Sequence, residues 1–279
     1  MTEEALQIEV DKVLQARLAK YYRFIPRFVI RWLEKTICQK EMNTVLHNNA
    51  GREGVDFCRG ALDELGVTYN VIGELPKDDK RYIITSNHPL GGLDGLILAD
   101  FVSKGYEDKR DVRFVVNDLL TYIKPLQSIF LGVNKHGKQS REASVKLEEA
   151  FDSDAQILMF PAGLVSRKGD DGTIADLRWH KMAIQKAISS KRDIIPLYFN
   201  GENSQFFYKF ARLRNKLGFK FNIEMIYLPQ EIFKRKDTNF DIVIGKPISW
   251  TSLKGGTNAQ NEADRPVSYT HLRAHETKA

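Results

Sequence analysis

Hydrophobic positions in the first quarter of the chain recur at helical spacing. The pattern pauses at Pro26 and then resumes, so residues 3–47 are expected to form a helical hairpin. A further helix is predicted over residues 53–65, ending before Gly66. The second arm of the hairpin mixes large apolar residues with three arginines, a combination suited to a helix in a membrane interface. An amphipathic helix packed on its own domain would show the same pattern.

From position 67 onward, short β-rich runs alternate with helical stretches. The β-rich runs lie at 67–73, 81–87, 112–116, 129–134, 156–161, 193–199, 222–228 and 241–246. Helical spacing between them is clearest at 141–151 and 178–189. Strands interleaved with helices predict an α/β fold with a largely parallel central sheet flanked by helices. Sheets of this kind bind ligands beyond the carboxyl ends of their strands.

These patterns divide the chain into four segments. Residues 1–66 are expected to form a helical region that docks on a membrane, and residues 67–250 form the α/β domain. Residues 251–264 are interpreted as a linker or a truncated C-terminus. Residues 265–279 resemble a translated sequencing adapter, so we predict that this tail is not native and does not contribute to function.

Composition narrows the location of the protein. Hydrophobic residues make up 42% of the chain and charged residues 28%, as in ordered globular proteins. No apolar run approaches the roughly 18 residues that cross a bilayer, and the acidic start differs from a signal peptide. The two cysteines, Cys38 and Cys58, lack metal-ligand or redox spacing, so no metal is predicted. We therefore expect a cytoplasmic protein, peripheral on the inner face of the membrane.

The formal charge of +6 indicates an anionic partner, either nucleic acid or a membrane surface. Lysine and arginine are spread along the chain beside 36 acidic residues, and no nucleic-acid motif is present. A membrane surface is thus the expected partner, and nucleic acid is not. Residues 201–221 combine aromatic and basic side chains and are interpreted as a membrane-facing surface or an acyl-chain wall, or as an amphipathic segment packed on the sheet.

The segment ITSNHPLGGLDG, residues 84–95, places candidate chemistry at a strand end. His88 follows a buried apolar run, and Asp94 lies within the same loop. A carboxylate that holds one ring nitrogen lets the other deprotonate a hydroxyl, and it stabilises the imidazolium that forms. Taken alone, a histidine near an aspartate is more often structural than catalytic. A Ser-His-Asp hydrolase is disfavoured because the GxSxG motif is absent.

A second segment, FPAGLVSRK, follows another predicted strand at residues 160–168. Pro161 and Gly163 predict a tight turn that exposes backbone amides and brings Arg167 to the same sheet edge. Arginine suits an anionic oxygen such as a phosphate or a carboxylate. A strand-to-helix turn with a solvated arginine is the structural alternative.

Together these segments resemble the glycerolipid (lysophosphatidic acid) acyltransferase superfamily, whose hallmarks are NHxxxxD, an FPEGTRS-like block and a later apolar strand ending in proline. NHPLGGLD, FPAGLVSR and IIPLYFNGENS occur here in that order, and the likeness spans about residues 80–205. It is closest to the hemolysin-like bacterial branch. The resemblance implies the glycerolipid acyltransferase fold and an O-acyltransferase of membrane lipid biosynthesis. Such an enzyme moves a fatty acyl group from acyl carrier protein or coenzyme A to a lipid hydroxyl, with no cofactor.

The resemblance also implies roles for individual residues. His88 would be the general base on the acceptor hydroxyl and Asp94 its orienting partner, without an acyl-enzyme. Gly91 and Gly92 are candidate oxyanion donors within the substrate site. The other predicted substrate-binding residues are Asn87, Phe160, Pro161, Gly163, Ser166, Arg167 and Lys181.

Three departures from the family pattern bear on the acceptor. Five residues separate His88 from Asp94 where the family has four, and Ala162 replaces the glutamate of the second block. Arg167 lies four residues after Gly163 rather than two. These departures favour the hydroxyacyl chain of a lyso-amino-acid lipid over lysophosphatidic acid. A 1-acylglycerol-3-phosphate acyltransferase and a non-catalytic membrane-binding homologue are the alternatives.

Overall fold

The computed structural model describes residues 7–134, 140–219 and 221–264 of the chain. The predicted adapter tail and the first residues of the predicted hairpin, 3–6, lie outside these described residues. In the described part, no helix combines the length and the apolar character needed to cross a membrane.

The N-terminal region is helical, but the predicted hairpin is wrong in detail. Its helices are α1 (Val10–Arg17), α2 (Arg27–Thr36), α3 (Gln39–Asn48) and α4 (Gly54–Leu65), with a 3-10 turn at Tyr22–Phe24. Pro26 has no N–H to continue a helix, and Cys38 adopts a left-handed conformation with φ of 52°. Pro26 is the break expected between the two arms, whereas the break at Cys38 divides the second arm into α2 and α3. Helix α4 ends at left-handed Gly66, as predicted.

Seven of the described strands form one sheet. They are β1 (Thr68–Ile72), β2 (Tyr82–Ser86), β3 (Val112–Asn117), β4 (Phe130–Val133), β5 (Gln156–Met159), β8 (Asp193–Asn200) and β9 (Asn239–Ile244). The intervening β6 (Arg167–Lys168) and β7 (Ile174–Ala175) form a separate short hairpin. The order in the sheet is β1-β9-β8-β2-β5-β3-β4, and only β8 and β9 pair antiparallel. The largely parallel sheet is therefore confirmed.

Helices cover both faces of this sheet. They are α5 (Gly92–Gly105), α6 (Arg141–Asp152), α7 (Met182–Ser190), α8 (Gln205–Lys216) and α9 (Leu228–Phe233). Alternate side chains of β2 divide between two cores: Ile84 packs with α4 and α5, and Ile83 packs with α6 and α7. Because both faces of the sheet are buried, the sequences of the parallel strands are continuous apolar runs and do not alternate between apolar and polar residues.

The strand predicted at 222–228 is wrong. The chain there forms a 3-10 turn at Ile223–Tyr227 that leads directly into α9. Glu224 points inward and is fully buried beside two arginines, which a strand of this sheet would not accommodate. The helix predicted at 178–189 begins only at Met182, and the His180 N–H before it donates to the carbonyl of Pro161.

The three central strands bring the candidate residues to one edge. Strand β2 lies between β5 and β8, and all three run parallel. His88, Phe160 and Gly201 each follow the carboxyl end of one of these strands. The two predicted motif segments therefore meet where parallel sheets place their ligands.

Candidate active site

The predicted pair of His88 and Asp94 is brought together. Asp94 lies in the first turn of α5, and both of its carboxylate oxygens are 3.1 Å from His88 Nδ1. The Asp94 side chain is fully buried and also accepts a hydrogen bond of 2.8 Å from the Leu90 N–H. Left-handed Gly91, with φ of 86°, lets the loop turn into α5. The extra residue between His88 and Asp94 is thus absorbed by the loop.

The His88 ring is fixed on a second side by Phe160. The two rings stack with centroids 3.9 Å apart and an angle of 19° between their planes. A carboxylate facing Nδ1 favours the tautomer with its proton on that nitrogen. The Nε2 lone pair then becomes the basic position, and the His88 side chain keeps 16% of its surface exposed. This arrangement can remove a proton from a hydroxyl group.

The main chain of His88 is held from the second motif block. Its N–H donates to Asp176 Oδ1 at 3.0 Å, and its carbonyl accepts from the Ser166 N–H at 2.8 Å. The Ser166 hydroxyl also donates to Asp176 Oδ1, at 2.6 Å. Sequence reasoning missed Asp176, because it lies 88 positions from His88 and belongs to neither motif. Ser166 was predicted, and it reaches the site through its backbone and its hydroxyl.

The side chains of Asn87 and Asn203 attach residues 87–91, which we call the catalytic loop, to the third motif, IIPLYFNGENS. The Asn87 side chain donates to the Phe199 carbonyl at 2.9 Å and accepts from the Phe199 N–H at 2.7 Å. The Asn203 side chain donates to the Pro89 carbonyl at 2.8 Å. The side-chain carboxamide of Asn87 thus continues the pairing of β2 with β8 beyond the last residue of β2.

Gly91 and Gly92 lie at the junction of the loop with α5. A Cβ atom on Gly91 would lie 2.9 Å from a methyl carbon of Leu228, which explains why this position has no side chain. Gly92 is the first residue of α5, where backbone N–H groups carry partial positive charge. The proposed oxyanion role of these two amides stays a prediction.

The turn predicted in the second block is present. Gly163 is left-handed with φ of 65°, and its N–H donates to the Phe160 carbonyl at 2.9 Å. The Gly163 amide is therefore used within the turn, where the sequence predicted an exposed donor. The Pro161 carbonyl accepts from the His180 N–H at 3.0 Å, which fixes the turn on the segment before α7.

Arg167 is paired within the protein. Its guanidinium donates to Glu224 at 2.8 Å and to the Val165 carbonyl at 2.9 Å. Glu224 Oε1 also accepts a hydrogen bond from Arg214 Nη2 at 3.2 Å, and Glu224 Oε2 lies 2.9 Å from Arg214 Nε. Burial lowers the pKa of Arg167, and the charge of Glu224 partly offsets this effect. Two guanidinium groups share one carboxylate, so the cluster keeps one net positive charge. Binding of a substrate anion by Arg167 stays a prediction.

Among the predicted site residues, Lys181 has the weakest structural link to His88 and Asp94. It is exposed, lies just before α7, and belongs to none of the hydrogen bonds that hold His88. Its proposed substrate contact also stays a prediction.

Comparisons with known proteins bear on the family of the chain. A family model described as Acyltransferase matches residues 12–272. The lyso-glycine lipid O-acyltransferase of Bacteroides thetaiotaomicron is 42% identical over 264 residues, which cover 93% of this chain and 96% of that protein. The lyso-glycine lipid O-acyltransferase of Phocaeicola vulgatus is 40% identical over 264 residues, which cover 93% of each.

Among solved structures, the 1-acyl-sn-glycerophosphate acyltransferase PlsC from Thermotoga maritima overlaps with a TM-score of 0.46. The two chains are 15% identical over 96% of this chain and 98% of that one. The family assignment depends on the family model and on the two relatives of 40% identity or more.

Proposed function

We propose a specific acceptor for this chain, which belongs to the acyltransferase family and is an O-acyltransferase that acylates a lysolipid hydroxyl. The proposed acceptor is a lyso-glycine lipid, in which the hydroxyl is carried by the acyl chain attached to the amino acid. The observation that carries this proposal is the 42% identity, over nearly the whole chain, to a protein named for that acceptor. Ala162, in place of the usual glutamate, also favours an acceptor other than a glycerol phosphate.

The proposed reaction is a direct transfer from a thioester. The acceptor hydroxyl binds His88 Nε2, which takes the proton as the oxygen attacks the thioester carbonyl carbon. The resulting tetrahedral oxyanion collapses, the carbon–sulfur bond breaks, and the leaving thiolate takes the proton back from the imidazolium. Asp94 stabilises that imidazolium through Nδ1. General-base help supplies about 10² to 10⁴ in rate, so positioning and oxyanion stabilisation must supply the rest.

The donor is proposed to be acyl carrier protein or coenzyme A carrying a fatty acyl chain. Both present the same thioester on a phosphopantetheine arm, so the chemistry at His88 is the same for either. Near the strand ends, the net positive charge shared by Arg167, Arg214 and Glu224 suits an anionic group on the donor or acceptor.

We also propose that the enzyme works as a peripheral protein on the inner face of the cytoplasmic membrane. Two exposed groups of side chains support this location, one on α2 and the 3-10 turn before it, and one on α8 and the segment that follows it. The exposed aromatic side chains are Phe24, Phe28, Trp32, Phe206, Phe219 and Phe221. Tyr227 joins the two groups, because its ring centroid lies 6.5 Å from that of Trp32 and 5.0 Å from that of Phe206, both in edge-to-face contact. We call this set the aromatic surface.

Basic residues flank the aromatic surface. Those on α2 and α8 with exposed side chains are Arg27, Arg31, Lys35, Lys209, Arg212 and Lys216. Aromatic rings that enter the headgroup region and cations that attract anionic lipids are the two components of interfacial binding.

The acceptor is tested by comparing kcat/KM for lyso-glycine lipid, lyso-ornithine lipid and lysophosphatidic acid, each with acyl carrier protein and coenzyme A thioesters. The proposal predicts the highest kcat/KM with lyso-glycine lipid. A higher value with lysophosphatidic acid would assign the enzyme to 1-acylglycerol-3-phosphate acylation instead.

A further inference from the structure

Asp176 is a meeting point of three parts of the site. Its carboxylate accepts hydrogen bonds from the His88 N–H at 3.0 Å, the Ser166 hydroxyl at 2.6 Å and the Trp179 indole N–H at 2.9 Å. These donors come from the catalytic loop, the second motif block and the segment before α7. An ionised carboxylate is an acceptor only, so it matches three donors and no acceptor.

The Asp176 carboxylate is partly shielded from solvent and is held by its hydrogen bonds. Its side chain is partly buried, and burial raises the pKa of Asp176, an effect that the three hydrogen bonds partly offset. The second block contains no carboxylate of its own, since Ala162 stands in the turn. Asp176, which lies outside both motif segments, therefore provides the carboxylate that accepts hydrogen bonds from each of them.

Two different carboxylates hold His88, one through its ring and the other through its main chain. Asp94 binds the ring and sets which nitrogen is basic. Asp176 and Ser166 bind the N–H and the carbonyl of the main chain, and so set where the ring stands above the sheet edge. Loss of the main-chain contacts would leave the imidazole paired with Asp94 while moving it relative to the substrates.

We propose that Asp176 is a positioning residue for acyl transfer, which holds the main chain of His88 at the distance from the thioester that reaction requires. This inference rests on the proposed function for its kinetic consequences. A misplacement of the reacting group by about 1 Å, caused by a mutation far from the chemistry, can lower a rate about 100-fold. Substrate contacts made elsewhere are unchanged, so the effect belongs in kcat and not in KM.

The alternative is that Asp176 only stabilises the fold, through Trp179. Asp176→Asn separates the two. Its oxygen can still accept from His88 and Ser166, but its amide nitrogen then faces the Trp179 indole N–H, which is also a donor. Because Trp179 is buried in the hydrophobic core, we expect the conflict to displace the carboxamide and, with it, His88. In Asp176→Asn combined with Trp179→Phe, the second donor is gone and the amide oxygen can return to His88.

The matched control is Asp100→Asn. Asp100 is a buried carboxylate that also accepts three hydrogen bonds, from Arg59, Tyr69 and Lys104, and none of these donors belongs to the motif segments. Both aspartate variants therefore lose one charge in a three-donor network. Trp179→Phe alone serves as the second control, because it leaves the contacts of Asp176 with His88 and Ser166 in place.

The measurement is kcat and KM per folded protein, with thermal unfolding followed in parallel. We expect Asp176→Asn to lower kcat about 10- to 100-fold with KM within about twofold. Asp100→Asn and Trp179→Phe should lower the unfolding temperature while kcat stays within about threefold. The double variant should recover kcat several-fold over Asp176→Asn. A kcat for Asp176→Asn within about twofold of wild type, or no recovery in the double variant, overturns the proposal.

A spectroscopic readout keeps this test apart from the proposed function. In protein labelled with ¹⁵N-histidine, the His88 ring signals are assigned by their absence in His88→Ala. They should shift in Asp176→Asn and stay in place in Asp100→Asn, whether or not an acceptor has been found. Unshifted His88 signals in Asp176→Asn contradict the positioning role, whereas wild-type protein that acylates no lysolipid contradicts only the proposed function.

Discussion

At the scale of single residues, Asp94 performs two tasks with one carboxylate. Both oxygens face His88 Nδ1, and one of them also accepts a hydrogen bond from the Leu90 N–H in the loop before α5. The first task concerns the charge that develops on the imidazole, and the second concerns the geometry of the loop. An amide of the same shape can preserve the second task better than the first.

Asp94→Asn is therefore expected to fold and to lose most of its activity. The amide oxygen can accept from Leu90, but the side chain no longer stabilises the imidazolium or fixes the tautomer. By analogy with the aspartate of a catalytic triad, kcat should fall about 10³- to 10⁴-fold. Steady-state kinetics with thermal unfolding as a check on folding measure this. Retention of a tenth or more of the wild-type kcat would remove Asp94 from the proton transfer.

At the scale of elements, two junctions set the geometry of the sheet edge and its opposite end. The first is the turn from the catalytic loop into α5 at Gly91, where φ is 86°. The second is the end of α6, where the buried Arg192 guanidinium binds the carbonyl oxygens of Phe151, Ser153 and Ala155. Carbonyl groups at a helix end lack partners within the helix, so a buried cation is well matched to them.

Gly91→Ala tests the first junction. The added methyl group would enter a left-handed conformation and lie 2.9 Å from Leu228, so the loop must shift. We expect kcat to fall at least about tenfold through displacement of His88. Gly172→Ala is the control, since φ there is 87° but no atom lies within 4 Å of the added carbon. Equal kcat losses in the two variants would show that strain alone, and not the contact with Leu228, is responsible.

Arg192→Met tests the second junction. Methionine fills much of the same volume but leaves the carbonyl groups at the end of α6 without donors. Desolvation lowers the pKa of Arg192 to about 10, so the side chain still carries its charge at neutral pH. Loss of these charged hydrogen bonds should reduce the free energy of unfolding by about 3 kcal/mol.

Denaturant unfolding measures this change, with Arg81→Met as the control. Arg81 also binds carbonyl groups at this end of α6, those of Asp152 and Ser153, in exposed contacts, and it reaches the Ser190 carbonyl only at 3.5 Å. Its removal should cost less than about 1 kcal/mol. A smaller loss for Arg192→Met than for Arg81→Met would contradict the structural role of Arg192.

Some elements of the fold could be predicted from their own sequence and others could not. Strands β2 and β5 were predictable because continuous apolar runs end at clear turn residues. The strand predicted at 222–228 failed because its apolar residues serve a 3-10 turn around the buried Glu224, a contact with distant arginines that local propensity does not register. Asp176 was missed for the same reason: only the folded chain brings it to His88.

At the scale of the whole molecule, the site edge and the aromatic surface are joined by the segment around Tyr227. This 3-10 turn carries Tyr227, which contacts Trp32 and Phe206, and leads into α9, whose Leu228 packs beside Gly91. A lipid headgroup at the aromatic surface would therefore be near the catalytic loop. The sequence indicated both parts of this surface, the second arm of the predicted hairpin and residues 201–221, but their union depends on tertiary packing.

Membrane binding is tested with a double variant of the aromatic surface. Phe28 and Phe221 expose 72% and 82% of their surface, so their replacement by serine should leave the fold intact. Loss of two inserted rings should weaken binding to vesicles of phosphatidylglycerol and phosphatidylcholine about 10- to 100-fold. Cosedimentation at two salt concentrations measures this, and Val145→Ser, an exposed apolar residue on α6, is the control. Unchanged binding of the double variant would place the membrane contact elsewhere.

The central claim is that His88 removes the proton from a lysolipid hydroxyl during acyl transfer. The measurement that tests it most directly is the single-turnover rate of ester formation from an acyl thioester and lyso-glycine lipid, for wild type and His88→Ala. With enzyme in excess over thioester, this rate reports the chemical step without product release. We expect His88→Ala to fold and to form ester at least about 100-fold more slowly than wild type. Ester formation by His88→Ala at the wild-type rate would show that another group is the base.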